Sequence, residues 1–179
     1  MRSIIKPGAM FLLASILTAA PAGMANAAPQ KKEYLSEAEA DKIREAGATG
    51  PRIVLFATFA SDRIKKIQYE FAHFDATDQK RTDRLNRLIN GYTGCIDDAA
   101  DLIEIGIDKQ QDIRGGVKAL QAGIKEFLPY LQDLATKGQE RETYKTNLDD
   151  AIEATQDAAK DIDKASKDMT TPPERRKPS

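Results

Sequence analysis

Between residues 53 and 74, apolar side chains recur at Ile53, Phe56, Ala60, Ile64, Ile67, Phe71 and Phe74, always three or four positions apart. That is the period of one helix face, and the alternation by two of a half-buried strand fits it poorly. Val54, Leu55 and Phe59 widen the face, so a helix is expected from Pro51 to about Phe74. A second stripe runs through Leu85, Leu88, Tyr92, Cys95, Ala99 and Leu102, flanked by Ile89, Ile96 and Ile103, and predicts a helix from about Asp78 to Ile107. A third, Ile113, Val117, Leu120, Ile124, Phe127, Leu131 and Leu134, predicts one from Asp112 to Gly138. The last, Tyr144, Leu148, Ile152, Thr155, Ala159, Ile162, Ser166 and Met169, is thin and rich in small residues. It suits a helix from about Gln139 to Met169 lying on a bundle.

The boundaries have their own chemistry. Ser36-Glu37-Ala38-Glu39 is a capping box, in which the Ser36 hydroxyl accepts a backbone N–H and Glu39 reaches back; it opens a short helix to about Ala46. Gly47 to Gly50 ends it, and Pro51 suits a first helical position, where its missing N–H is not needed. Asp75 to Asp78 reads as a turn, with Thr77 or Asp78 able to cap the next helix. Gly91 and Gly94 interrupt the second stripe at up to about 1 kcal/mol each relative to Ala, but the register is unbroken; one helix is expected there, with the glycines admitting close approach of another. Gly106 to Asp112 is read as a connection, with Asp112 as the next cap; a single helix through it would be roughly 90 Å long. Pro129 removes a hydrogen bond to the Lys125 carbonyl, so a kink is expected.

The chain begins differently. Arg2 and Lys6 precede an apolar run from Ala9 to Ala20, then Pro21, Gly23 and the small-residue site Ala25-Asn26-Ala27. This is the order of a secretory signal cut between Ala27 and Ala28. The run is shorter than the roughly 20 residues that span a bilayer, so residues 1–27 are expected to be removed and the mature chain to reach the periplasm or the cell exterior of a bacterium, without a membrane anchor. Ala28 to Leu35 reads as an extended leader, 36–169 as the helical domain, and 170–179, with three prolines and no apolar face, as a disordered tail.

The signal segment holds two of the 27 basic residues and none of the 28 acidic ones, so the mature net charge is −3. Nucleic acid is not an expected partner, because the basic footprint such binders carry is missing overall. The chain has one cysteine, so no disulfide can staple the fold from within. Cys95 lies on an apolar stripe and is expected to be buried, its thiol outside any disulfide.

Candidate chemistry is sparse. Glu70-Phe71-Ala72-His73 places a carboxylate and an imidazole one turn apart, as in di-iron bundles, which use two such pairs and two further glutamates. With one histidine in the chain, Glu70 and His73 can supply half of such a site. Haem would need His73 to meet Met169. Asp97-Asp98, Asp101 and Glu104, and Asp149-Asp150, Glu153 and Asp157, form acidic runs of the sort that are usually solvated faces; EF-hand spacing is absent, as are a phosphate loop and a nucleophile elbow. No catalytic residue and no cofactor is implied. One internal similarity remains: Ser61-Asp62-Arg63-Ile64-Lys65-Lys66-Ile67 resembles Thr82-Asp83-Arg84-Leu85-Asn86-Arg87-Leu88 at an offset of 21 residues. Two copies do not make a repeat array, and capped amphipathic helices look alike. The chain is expected to be all-α, an antiparallel bundle of three to four long amphipathic helices preceded by a short one. Its expected role is noncatalytic binding of a protein partner in the envelope; the alternative is a metal- or haem-binding bundle, as carrier or enzyme.

Overall fold

A computed structural model describes residues 33–170, all helices and turns: α1 (Glu37–Glu45), α2 (Thr49–Ala72), α3 (Arg81–Asp108), α4 (Arg114–Lys137), a 3-10 turn (Arg141–Thr143) and α5 (Lys145–Thr170). The expected signal segment 1–27, the expected tail from residue 171 onward and the expected leader up to residue 32 lie outside the described residues. The leader's last residues, 33–35, form a turn where an extended segment was expected, because Leu35 is buried in the core and Tyr34 packs its ring against α3 at Gly94. No helix among the described residues is long and apolar enough to cross a membrane.

Consecutive long helices run antiparallel, and α2, α3, α5 and α4 follow one another around a square. α3 and α4 are consecutive but barely touch, since their connection crosses the diagonal. The two neighbouring pairs that are not consecutive therefore run parallel: Asn147 meets Asn86 and Thr155 meets Tyr92 between α5 and α3, while Gly50 meets Asp112 and Ile53 meets Gly116 at the starts of α2 and α4. A Cβ on Gly116 would stand 2.7 Å from that of Ile53 and 2.9 Å from the Gly50 carbonyl; glycine is what lets α2 and α4 approach so closely. The core is filled by Ile53, Ile67, Leu85, Ile89, Ile96, Leu120, Leu131 and Leu148, none of them exposed. Burial of each contributes roughly 1.5–3 kcal/mol before ordering entropy. Tyr92 and Phe127 meet edge to face at 5.7 Å across the bundle.

The capping box of α1 forms as read. Other ends shift for tertiary reasons. α2 starts at Thr49, two residues before Pro51, because its first turn docks on the α3–α4 connection through a Thr49–Gln111 side-chain bond and the Gly50–Asp112 contact; Pro51 still lies in the first turn, where no N–H is required. α3 runs unbroken through Gly91 and Gly94, and the close approach at Gly94 is by the Tyr34 ring, where another helix was expected. Asp78 accepts from the Lys80 N–H and so closes a turn ahead of α3. The α3–α4 connection is real. Gln111 N–H reaches the Gly106 carbonyl and Gln110 N–H the Ile107 carbonyl, with Gln110 left-handed at φ 53°. This is a Schellman stop built on glutamine in place of glycine. Asp112 sits one residue outside the cap and pairs with Arg114. α4 continues through Pro129. α5 starts at Lys145, later than expected: Glu140 is left-handed and pairs at 2.6 Å with Arg81, which is only 2% exposed and lies over the rings of Phe71 and Phe74.

Candidate functional site

Glu70 and His73 do not form a site together. Both Glu70 oxygens are engaged by Arg84, from Nε at 3.0 Å and Nη2 at 2.8 Å, and the same Nη2 reaches Asp78 at 2.7 Å. The Arg84 hydrogen bonds hold the Glu70 carboxyl below its ordinary range. His73 is exposed at the end of α2; its Nδ1–H donates to the Tyr69 carbonyl and its ring stacks on Tyr69 at 4.0 Å. Among the described residues, no group of three or more histidine, cysteine or acidic side chains is placed to hold a metal. The expected haem pairing with Met169 involves a side chain outside the described residues.

Cys95 is fully buried on the α3 stripe. The acidic run of α5 is exposed, with Asp149 and Asp157 paired to Lys145 and Lys160. The run on α3 is mixed: Asp97, Asp101 and Glu104 are exposed, whereas Asp98 is 9% exposed, which corrects the reading of the whole run as a solvated face. Although Asp97 is exposed, partial loss of water around its carboxyl, with Asp101 close by, raises that carboxyl.

What the helices do bring together is the internal similarity. The α2–α3 hairpin turns between the two copies and sets them on adjacent antiparallel helices, staggered so that Arg63 lies opposite Gly91 and Glu70 opposite Arg84. A groove of about 360 Å³ opens between them. Arg63 and Lys66 line one wall, and Arg84 and Arg87, each 21 positions further along the chain, line the other; Tyr34 closes one end and Tyr69 flanks the other. In each copy the arginine is held by a glutamate gripping it with both oxygens: Glu39 for Arg63, with the Tyr34 carbonyl accepting a further bond at 3.2 Å, and Glu70 for Arg84. Arg63 pulls the Glu39 carboxyl down to about 2. In each copy the cation three residues on is exposed. Lys66 makes a surface pair with Asp62 at 2.7 Å, and Arg87 makes no ion pair or hydrogen bond with a described residue. Tyr69 stands 61% exposed beside them. The sequence marks the two copies but not the groove they share, which depends on where the hairpin turns.

The chain is thus a helical bundle with a cation-lined surface groove. No family model matches it, and no curated protein or solved structure is significantly similar.

Proposed function

We propose that the protein is a noncatalytic binding module of the bacterial envelope, exported by its signal segment, and that it engages a protein partner through the face made by α2 and α3. The observation that carries this reading is the groove between those helices, where two exposed cations and an exposed tyrosine are carried on rigid, well-packed elements. Tyrosine and arginine side chains presented together are the residue types most often found as anchors of protein interfaces. The residues that would serve the alternative, a metal or haem carrier or an enzyme, are committed elsewhere: Glu70 to Arg84, and His73 to its own helix end.

The export part rests on the Ala25-Asn26-Ala27 site and is tested by the intact mass of protein from its native host, where an N-terminus at Ala28 is expected; retention of residues 1–27 would contradict it. For the binding reading, a photo-crosslinking residue at position 69 is expected to trap a partner in cells, and its failure to do so would count against the face. Protein from the native host that carried stoichiometric iron, copper or zinc, lost on His73→Ala, would overturn the reading in favour of the carrier or enzyme.

A further inference from the structure

Arg63, Lys66, Arg84 and Arg87 occupy matching positions of two similar segments and converge on one groove from opposite walls. Two of the four are already satisfied, each by a carboxylate of the chain itself, gripped with both oxygens. Those pairs satisfy Arg63 and Arg84 within the chain, so neither is left to recruit a further anion. The surplus lies in the other two. Lys66 has only a solvated pairing with Asp62, the kind that contributes about 0–1 kcal/mol and is readily exchanged. Arg87 is exposed without a partner among the described residues. Glu70, bound to Arg84, is the acidic residue in the groove's lining.

We propose that this groove recognises an acidic segment of the partner protein, two of whose carboxylates pair with Lys66 and Arg87. The assignment rests on the binding reading above and names the chemistry of that face. The groove's own construction favours carboxylates: Glu39 and Glu70 each complete one arginine, and an incoming acidic segment supplies one carboxylate to the Arg87 guanidinium in the same two-pronged way and one to the Lys66 ammonium as a point charge. Guanidinium and carboxylate match geometrically, two N–H groups to two oxygens. The exposed Tyr69 ring and the half-buried Leu88 offer apolar surface for the segment's backbone and neighbouring side chains. The chain's overall acidity does not oppose this, because charges more than about 8 Å from the groove are screened at physiological ionic strength.

The test uses the full mature chain and a fluorescent hexaglutamate peptide, read by anisotropy. Saturable binding that weakens with added salt is expected. Lys66→Ala/Arg87→Ala is expected to weaken it at least roughly tenfold, equivalent to about 1.4 kcal/mol, with unchanged helicity because both side chains are exposed. Lys118→Ala/Lys125→Ala removes the same charge from exposed positions on α4 and is expected to leave binding intact. Equal loss in the two double variants, absence of saturable binding, or displacement of the peptide by inorganic phosphate at matched concentration would overturn the proposal. If hexaglutamate fails while position 69 still traps a partner in cells, the acidic assignment falls and the binding reading stands; if both fail, both fall.

Discussion

Arg63 on α2 and Glu39 on α1 form a two-pronged ion pair whose side chains are 9% and 16% exposed. α1 fully buries none of its own residues, so this pair, with the half-buried Ile43 and with Leu35 and Tyr34 just ahead of the helix, holds α1 to the bundle. Glu39→Gln is expected to remove about 1–2 kcal/mol of local stability, toward the low end for hydrogen bonds to charged groups because both side chains keep some solvent. Amide exchange should quicken over residues 37–45 and change little in α3. The acid response follows from the lowered carboxyl. The pair's contribution is complete above about pH 4.5, the ordinary value, and fades as pH falls toward about 2. Unchanged α1 protection in the variant would show that the tether is elsewhere.

Tyr92 and Thr155 join α3 to α5 inside the core. Thr155 Oγ1 donates its one hydrogen to the Ala151 carbonyl at 2.6 Å, so the Tyr92 hydroxyl donates to Thr155 at 2.7 Å. Burial raises the Tyr92 phenol and keeps it protonated. Thr155→Val strands a buried hydroxyl and is expected to cost about 1–3 kcal/mol, Tyr92→Phe about 1 kcal/mol. Combined, they should cost less than the sum, because no orphan remains. Urea unfolding of the four proteins measures the coupling; strict additivity would contradict the bond.

Adjacent glycines in α4 make a matched pair. Gly115 has open space where a Cβ would go, and Gly116 meets Ile53 and the Gly50 carbonyl. Gly115→Ala is expected to stabilise by up to about 1 kcal/mol through helix propensity. Gly116→Ala should destabilise by about 1–3 kcal/mol, because α2 must move away. Thermal melts that shift both variants the same way would show that the α2–α4 approach is looser than described.

Cys95 is fully buried among Tyr92, Ile96 and Ala99 on the α3 stripe. Its thiol is expected to label slowly in buffer and at the rate of an open chain in denaturant. A disulfide-linked dimer on a non-reducing gel would contradict that burial.

Periodicity was enough to read the four long helices, because most of each stripe is buried: Leu85, Tyr92, Cys95 and Ala99 lie in the core, although on α5 Ala151, Ala158 and Ala165 take the core places expected of Ile152, Ala159 and Ser166, and Phe74 at the end of the first stripe is exposed. The α3–α4 break was marked only faintly, since a Schellman stop on Gln110 carries no glycine to announce it. The α2 and α5 starts moved because Thr49–Gln111 and Arg81–Glu140 are contacts between residues some 60 positions apart, which no local signal encodes. The site was the least legible part. Glu70 and His73 drew attention by spacing, yet Glu70 was claimed by Arg84, a residue that looked like ordinary surface charge. The useful clue was the pair of similar segments, whose meaning depended on the hairpin that sets them on adjacent antiparallel helices.

The central claim, that the α2–α3 face is where this protein binds, is tested most directly by site-specific photo-crosslinking in the native host. A photoreactive residue replaces Tyr69 beside the groove or, as a control, Gln156, an exposed position on α5. Illumination is expected to give a discrete covalent product from position 69 that is absent from position 156 and is lost when Lys66→Ala/Arg87→Ala is added. Mass spectrometry of that product should identify a protein carrying an acidic segment. Products from position 156 alone, or none from position 69 in cells that contain the folded protein, would contradict the claim.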